Sequence, residues 1–84
     1  MFTQDVLTYL DRSVLCWLAT VDAEGHPNVS PKEVFTPYGE AQLLIANIES
    51  PVSARNISNN PHDSVSFVDV FVQKGYKIKG METL

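Results

Sequence analysis

Residues 14–21 form an almost unbroken apolar run, which constrains the fold more than any other stretch of the sequence. Apolar side chains occupy both alternating sets of positions. Several of them are β-branched or aromatic, which favours a strand over a helix. A strand that is apolar on both faces is typical of one covered on both sides. Residues 22–25 then break the pattern, and Gly25 can adopt a positive φ there. The run therefore predicts a buried strand that ends in a turn.

Two short helices are predicted at the start and in the middle of the chain. The first covers residues 3–12, where Val6, Leu7 and Leu10 form an apolar stripe, Thr3 is the N-cap and the helix stops near Ser13. The second begins at Ser50 and Pro51, because serine at the N-cap followed by proline at the first helical position is a typical helix start. It ends near residue 59.

The remaining residues alternate between strand patterns and turn signals. Further strands are predicted at residues 28–35, 41–47, 64–72 and 75–80, with a turn at residues 36–40. The order is then α-β-β-β-α-β-β. The predicted class is mainly β, with five antiparallel strands and two short helices. A small β-barrel is favoured over an open sheet because closure removes exposed edges.

Composition excludes several classes of function. The chain has 84 residues and a net charge of −4, which argues against binding nucleic acid through phosphate neutralisation. Its single cysteine, Cys16, rules out an internal disulfide, and Cys16, His26 and His62 supply too few ligands for a zinc site. No stretch is apolar enough to cross a bilayer. We therefore expect one domain in the cytoplasm, with no membrane or nucleic-acid partner.

Two segments are candidates for binding an anion. In residues 28–32, Pro31 cannot donate to a strand ladder, so this stretch should run at an edge, where the ammonium of Lys32 could meet a phosphate. The alternative is an edge strand protected by Pro31 and Lys32 against aggregation. In residues 47–55, the helix start with Ser50, Ser53 and Arg55 is the other candidate. The alternative there is an ordinary capped helix.

The two segments are predicted to converge. The third strand leads into the second helix, and the second strand is its hairpin partner, so Lys32 and the helix start could face one anion. A third segment, residues 71–75, contains Gln73, whose amide could meet the polar edge of a ring; the alternative is a plain loop. Recognisable catalytic motifs are missing from the sequence, and Cys16 is interpreted as a buried, inert thiol.

Several blocks of the sequence, in the right order, resemble the pyridoxamine 5′-phosphate oxidase-related family of FMN-binding split barrels. The resemblance implies a split β-barrel that pairs as a homodimer and holds FMN in two clefts at the subunit interface. The blocks that carry it are Leu18-Ala19-Thr20-Val21-Asp22, Gly25-His26-Pro27-Asn28-Val29-Ser30-Pro31-Lys32, Leu44-Ile45-Ala46-Asn47, Ser50-Pro51, Arg55-Asn56-Ile57, Asn60-Pro61, Val65-Ser66-Phe67 and Gly75-Tyr76-Lys77-Ile78-Lys79-Gly80.

The resemblance also implies which residues hold the cofactor. A lysine on the second strand meets the flavin or its phosphate, the backbone at the end of the third strand meets the ring, the helix start takes the phosphate, and a glutamine ahead of the last strand reaches the ring. The implied cofactor residues are Asn28, Val29, Ser30, Pro31, Lys32, Ile45, Ala46, Asn47, Ser50, Ser53, Arg55 and Gln73.

Two departures from the family qualify this expectation. Val52 stands where the family often has a basic residue, so Arg55 would have to compensate. Relatives also run well past Gly80, so residues 1–84 are expected to form a single split-barrel domain that lacks the usual C-terminal strand and helix. The expected function is an FMN-binding oxidoreductase acting on a small molecule. The alternative is a non-catalytic dimeric flavin-binding module or a truncated remnant without cofactor; a deazaflavin or haem also stays open.

Overall fold

The computed structural model describes residues 2–46 and 51–82, with the side chains of residues 51, 53 and 54 outside that description. Strands and two helices account for most of these residues, which confirms the predicted mainly β class. In chain order the elements are α1 (Gln4–Arg12), β1 (Cys16–Val21), β2 (Pro27–Lys32), β3 (Phe35–Tyr38), β4 (Gln42–Ile45), α2 (Pro51–Asn59), β5 (His62–Asp69) and β6 (Lys74–Met81).

The strands form two antiparallel sheets. The larger sheet has the order β2-β1-β5-β6, and β3 and β4 form a separate hairpin. Helix α1 packs against β5, β6 and β3, whereas α2 packs against β1 and β2. This arrangement is compatible with a split barrel. Strand β2 pairs only with β1 among the described residues, so the prediction that the proline-containing segment runs at an edge is confirmed.

Helix α1 begins and ends where the sequence predicts. The hydroxyl of Thr3 accepts the N–H of Val6 at 3.3 Å, and the helix ends at Arg12 with Ser13 as its C-cap. Side-chain capping satisfies a donor that the first turn would otherwise leave without a partner. Leu10, on the apolar stripe of the helix, is 3% exposed and joins the core.

The second predicted strand is two strands in the structure. Strand β2 ends at Lys32 and β3 begins at Phe35, so the chain leaves the larger sheet at residues 33–34 and enters the hairpin. The predicted turn at residues 36–40 is correspondingly too long, because β3 continues to Tyr38 and the turn contains Gly39 with φ 65°. Val34 in the corner is exposed. The apolar pattern runs through the corner, so periodicity alone does not reveal it.

The predicted strand at residues 64–72 is also shorter in the structure. Strand β5 ends at Asp69, whose side chain accepts the N–H of Phe71 at 3.0 Å and whose carbonyl accepts the N–H of Gln73 at 2.8 Å. Gln73 has φ 59°, a left-handed conformation suited to a tight turn. Residues 70–73 therefore form a turn between β5 and β6, called the β5–β6 tip below.

The core lies on the inner face of the larger sheet. Cys16 pairs with Phe67 and Leu18 pairs with Val65 across β1 and β5, and α1 and the β3–β4 hairpin cover them. The opposite, outer face of β1 is not covered within the chain, since Trp17 is 42% exposed. The expectation that β1 is covered on both sides is therefore wrong for one isolated chain. Only one layer of the described protein packs against this sheet, which leaves the second apolar face open.

Strand β2 shows an inverted pattern of polarity. Its register with β1 puts Ser30 opposite Leu18 and Lys32 opposite Cys16, on the inner face. Val29 and Pro31 therefore point to the outer face, where Val29 is 57% exposed. Soluble sheets usually turn their apolar side chains inward. The outer face thus carries an apolar surface, defined here by Trp17, Ala19, Val29, Pro31 and Val68.

Candidate functional site

Lys32 lies in the interior of the protein. Its side chain is 3% exposed and starts at the last residue of β2, opposite Cys16. Burial raises the pKa of the Cys16 thiol to about 11, and the nearby charge of Lys32 offsets part of that rise. Lys32 also acts electrostatically on Glu82. In this chain Lys32 is consequently a buried charge of the inner face, and not an exposed lysine that protects a sheet edge.

A polar pocket lies between α2 and the turn that joins β1 to β2. Its volume is about 370 Å³, and it is called the α2 pocket below. Arg55 and Asn28 line it together although 27 positions separate them in the sequence, so the fold brings two of the predicted cofactor residues together. The other residues that line it are Asp22, Ala23, Glu24, His26, Pro27, Val52, Asn56 and Asn59.

Helix α2 is held over this pocket by a buried hydrogen bond. The amide Nδ2 of Asn56 donates to the hydroxyl of Thr20 at 3.1 Å, and the two residues are 3% and 4% exposed. Ile57 packs beside them at 5% exposed. A buried polar pair of this kind fixes the rotation of a helix, because any other rotation leaves both groups without partners. It therefore turns Arg55, the residue before Asn56, to an exposed position beside the pocket.

Lys32 does not line the α2 pocket with Arg55, and the convergence of Lys32 with the helix start stays a prediction, because Ser50 and the side chain of Ser53 lie outside the described residues. Arg55 lies beside Asn28 at the start of β2, whereas Lys32 ends the strand. Four residues of extended chain separate Asn28 from Lys32 by about 13 Å, and the Lys32 side chain points inward. Alternation along β2 puts Asn28, opposite Thr20, on the same inner face as Lys32, so distance along the strand, and not the face of the sheet, separates the two residues.

Carboxylates and a histidine border the other side of the α2 pocket. The carboxylate of Asp22 accepts the backbone N–H of His26 at 2.8 Å and that of Glu24 at 2.9 Å. These hydrogen bonds, with the nearby His26 ring, hold the pKa of Asp22 below its usual value. His26 Nδ1 lies 3.2 Å from an oxygen of Asp22. The pocket is therefore lined by two carboxylates, Asp22 and Glu24, as well as by the guanidinium of Arg55.

The remaining predicted cofactor residues lie apart from the α2 pocket. Val29 and Pro31 are on the outer face, and Ser30 is half-buried on the inner face. Ile45 packs against the core, and the N–H of Ala46 donates to the carbonyl of Val34 at 2.9 Å. Gln73 is exposed in the β5–β6 tip. Asn47, Ser50 and the side chain of Ser53 lie outside the described residues.

A pair of carboxyl groups that sequence reasoning missed lies where β5 begins and β6 ends. Asp63 and Glu82 share a hydrogen bond, and both line a cavity of about 330 Å³ between β4 and β6. Burial, then the hydrogen bond and charge of Asp63, raise the pKa of Glu82 to about 7, against the opposing effect of Lys32. The pairing has no local sequence signal, because 19 positions separate the two residues and only the β5–β6 register joins them.

Residues 2–46 and 51–82 contain neither a candidate metal site nor a helix that could span a membrane. In these ranges no three His, Cys, Asp or Glu side chains are grouped so that they could hold a metal ion. Nor does either described helix have the length and hydropathy needed to cross a membrane. What the described residues do offer is a pocket that combines the guanidinium of Arg55 with three asparagine amides and the carboxylates of Asp22 and Glu24.

Comparisons with known proteins give one family and two similar structures. Residues 2–83 match the family model of pyridoxamine 5′-phosphate oxidase. A crystal structure of a histidine-to-alanine variant of HupZ from Group A Streptococcus is similar at a TM-score of 0.86 and 28% identity, covering 96% of this chain and 68% of that one. A second HupZ crystal structure from the same organism gives a TM-score of 0.79 and 27% identity, covering 96% and 64%. No curated protein matches the chain significantly.

Proposed function

The chain belongs to the pyridoxamine 5′-phosphate oxidase family, and from this premise we propose that it binds FMN between two copies of itself and acts on a small molecule as a flavin-dependent oxidoreductase in the cytoplasm. The observation that carries the proposal is the α2 pocket. Arg55 and Asn28 meet there, and the family resemblance assigns both of them to the cofactor.

The α2 pocket has the chemistry that a phosphate monoester requires. The guanidinium of Arg55 offers two parallel N–H donors to phosphate oxygens, and Asn28, Asn56 and Asn59 add amide groups around it. Val52 lines the same pocket one helical turn before Arg55. Arg55 can therefore supply the positive charge that the family often carries at the position of Val52. Asp22 and Glu24 oppose an anion at the rim, which predicts affinity that depends strongly on Arg55.

The outer face supports pairing with a second copy. Trp17, Val29 and Val68 are each more than one third exposed, and Trp17 lies opposite Pro31 across β1 and β2. The same face also carries Ser64 and Ser66, opposite Ala19 and Trp17, so its apolar side chains lie mainly on β1 and β2. Exposed apolar side chains grouped on one face of a soluble protein favour an interaction site. A twofold dimer, the commonest oligomer, would bury this surface against itself.

The chemistry of the reaction would come from the flavin, which accepts and donates hydride or single electrons when it is bound. The described residues would supply binding and orientation. A second candidate function, a dimeric flavin-binding module without turnover, is favoured by one observation: Cys16 is a buried thiol whose raised pKa makes it a poor nucleophile.

Arg55→Ala tests the cofactor site directly. We expect this variant to weaken FMN binding by about 1–3 kcal/mol, roughly 5- to 150-fold, because it removes the charge-assisted hydrogen bonds to the phosphate. Quenching of flavin fluorescence during titration with protein measures the affinity. Arg12→Ala is the matched control, since Arg12 lies on α1 against the ring of Tyr9 and away from the pocket.

Four outcomes separate the possibilities. Wild-type protein that carries flavin absorbance through a sizing column, and an Arg55 variant that loses it, support the proposed site. Equal losses in the Arg12 and Arg55 variants would contradict it. With FMN bound, oxidation of a nicotinamide donor supports the oxidoreductase, whereas an inert flavin supports the binding module.

A further inference from the structure

His26 lies in the turn between β1 and β2, where its ring is held beside two carboxylates. The Nδ1 atom is 3.2 Å from a carboxylate oxygen of Asp22 and 3.8 Å from one of Glu24. All three residues line the α2 pocket, and the His26 side chain is 72% exposed. Histidine is the side chain whose charge ordinarily changes between about pH 5 and 8. The charge on this wall of the pocket can therefore change near neutral pH.

The turn fixes the imidazole in place. The carboxylate of Asp22 accepts the backbone N–H of His26 at 2.8 Å, and the N–H of Asp22 donates to the carbonyl of His26 at 2.9 Å. Gly25, with φ 86°, closes the turn between them. A carboxylate at this distance accepts the proton of the neutral ring, so Nδ1 is the protonated nitrogen and an added proton goes to Nε2. Protonation therefore gives the ring a second N–H donor.

The carboxylates at the α2 pocket outnumber the cations when His26 is neutral. Among the described residues that line the pocket, Asp22 and Glu24 are negative, Arg55 is positive, and His26 is the only other side chain that titrates. A phosphate monoester carries a charge of about −1.5 to −2 at neutral pH. Such a ligand is attracted by Arg55 and repelled by both carboxylates. A proton on His26 balances the second carboxylate and so removes the net negative charge of the pocket.

We infer that His26 is a second cation of the phosphate site: binding of a phosphate monoester in the α2 pocket is accompanied by uptake of a proton on the imidazole of His26, and the charged ring holds the ligand more tightly. The inference rests on the proposed function and adds regulation by pH to the same site. His26 is not among the cofactor residues that the family resemblance implies. The proton comes from solvent, and no covalent bond of the ligand is made or broken.

Thermodynamic linkage makes the effect reciprocal. If a proton on His26 strengthens phosphate binding, bound phosphate must raise the proton affinity of His26 by the same factor. The side chains of His26 and Glu24 are exposed to solvent, so the factor should have the size measured for exposed ion pairs, roughly two- to fivefold. As pH rises from about 6 to 8, the affinity for the phosphate should therefore decline by this factor more than in a protein without His26.

His26→Gln tests this coupling. We expect FMN to bind the wild-type protein roughly two- to fivefold more tightly than the variant at about pH 6 and equally tightly at about pH 8, measured by quenching of flavin fluorescence at low ionic strength. Titration of the FMN phosphate affects both proteins alike, so the comparison isolates His26. His62→Gln is the matched control, since His62 is the only other histidine and does not line the pocket. This control should bind FMN as the wild-type protein does at both pH values.

Calorimetric titration with FMN at about pH 7, in buffers of different ionisation enthalpy, measures the proton uptake itself. The wild-type protein should take up more protons than His26→Gln. Equal proton uptake, or the same ratio of FMN affinities at the two pH values in both proteins, overturns the inference; if Arg55→Ala still weakens binding, the proposed function stands. Absence of FMN binding at both pH values would contradict the proposed function and the inference together.

Glu24→Gln tests the charge balance from the other side. It removes a carboxylate that lines the pocket and is 81% exposed. FMN should bind this variant roughly two- to fivefold more tightly than the wild-type protein at about pH 8. Glu40→Gln, in the turn between β3 and β4, is the control. Unchanged or weaker FMN binding by Glu24→Gln would show that the carboxylates do not act on the bound phosphate, which overturns the inference.

Discussion

Arg55 and Lys32 carry positive charge at the two ends of β2, and their surroundings give them different roles. Arg55 is exposed beside the α2 pocket. Its guanidinium stays hydrated there, so its charge carries little desolvation penalty, and it can reach a ligand. Lys32 is buried opposite Cys16, where a charge is tolerated only with compensating groups nearby. At the residue scale, therefore, the proposed binding depends on Arg55, whereas Lys32 is part of the interior.

Glu82 makes the stability of the fold depend on pH. Its pKa in the folded protein is about 7 against 4.5 for the free side chain, so between those values the folded state binds more protons than the unfolded state. The free energy of unfolding should then fall as pH rises from about 4.5 to 7 and change little from this source above 7. Asp63 and Lys32 are the charged groups that face Glu82 and set this shift.

Glu82→Gln provides the measurement for this pH dependence. The amide keeps the shape of the protonated carboxyl and does not titrate. The free energy of unfolding of the variant should therefore fall less between pH 4.5 and 7 than that of the wild-type protein. Urea unfolding at several pH values measures it. Glu40→Gln is the control, because Glu40 is exposed in the turn between β3 and β4. If the free energy of unfolding of Glu82→Gln falls with pH as steeply as that of the wild-type protein, Glu82 is not the source of the pH dependence.

At the element scale, the β5–β6 hairpin depends on one glycine. A Cβ atom at Gly75 would collide with the carbonyl oxygen of Phe67 and lie 2.8 Å from the Cα of Val68. Both are backbone atoms of the neighbouring strand, so no side-chain rotation can relieve the contact. The close approach of the two strands at this point therefore excludes every other residue type.

Gly75→Ala is expected to destabilise the protein by about 2 kcal/mol or more, because the hairpin must shift to accept the methyl group. Guanidinium unfolding followed by circular dichroism measures the loss. Gly80→Ala is the matched control on the same strand, since a Cβ there has open space around it. Equal stability of the two variants would show that the strands do not approach closely at Gly75.

The sequence predicts those elements whose signals are local. Helix α1 has a side-chain cap and an apolar stripe, and it begins and ends as predicted. The corner at residues 33–34 and the β5–β6 tip are not predicted, because exposed Val34, Val70 and Phe71 continue the apolar pattern through turns. Exposed apolar residues in turns weaken the link between hydropathy and local structure, so the pattern alone does not place the ends of these strands.

The candidate site could be predicted only in part for a related reason. Arg55 and Asn28 were each identifiable by residue type, but their meeting depends on how α2 packs on β1, which a buried bond between Asn56 and Thr20 decides. The direction of the Lys32 side chain depends on which alternate residues of β2 face inward. In this strand the polar residues face inward and the apolar residues face outward. A second copy on the outer face, as proposed above, would account for that inversion.

On the scale of the whole molecule, the stability of the fold would depend on dimerisation through the outer face. A chain of this size buries about 60% of the surface that its unfolded form exposes, so its own core gives limited stability. The inner-face cluster contains only five buried side chains, Leu10, Cys16, Leu18, Val65 and Phe67 among the described residues. Pairing through the outer face would add a second apolar layer and raise the stability with protein concentration.

Trp17 would report on the proposed pairing, because it is the chain's single tryptophan and is 42% exposed on the outer face. We expect its fluorescence emission to shift to longer wavelength when the protein is diluted below the dimer dissociation constant, as water reaches the indole. Trp17→Glu should abolish the dimer by burying a charge in the interface. An emission spectrum that is independent of dilution, in a protein that ultracentrifugation shows to dissociate, would exclude Trp17 from the interface.

The burial of Cys16 has a practical consequence for labelling and storage. The thiol is fully enclosed and stays protonated at neutral pH, since its pKa is about 11. Maleimide dyes and dissolved oxygen both act on an accessible thiolate, so the folded protein should stay unlabelled and should not age into covalent aggregates. A fluorophore attached through one added surface cysteine would then mark a single known position without removing the native one.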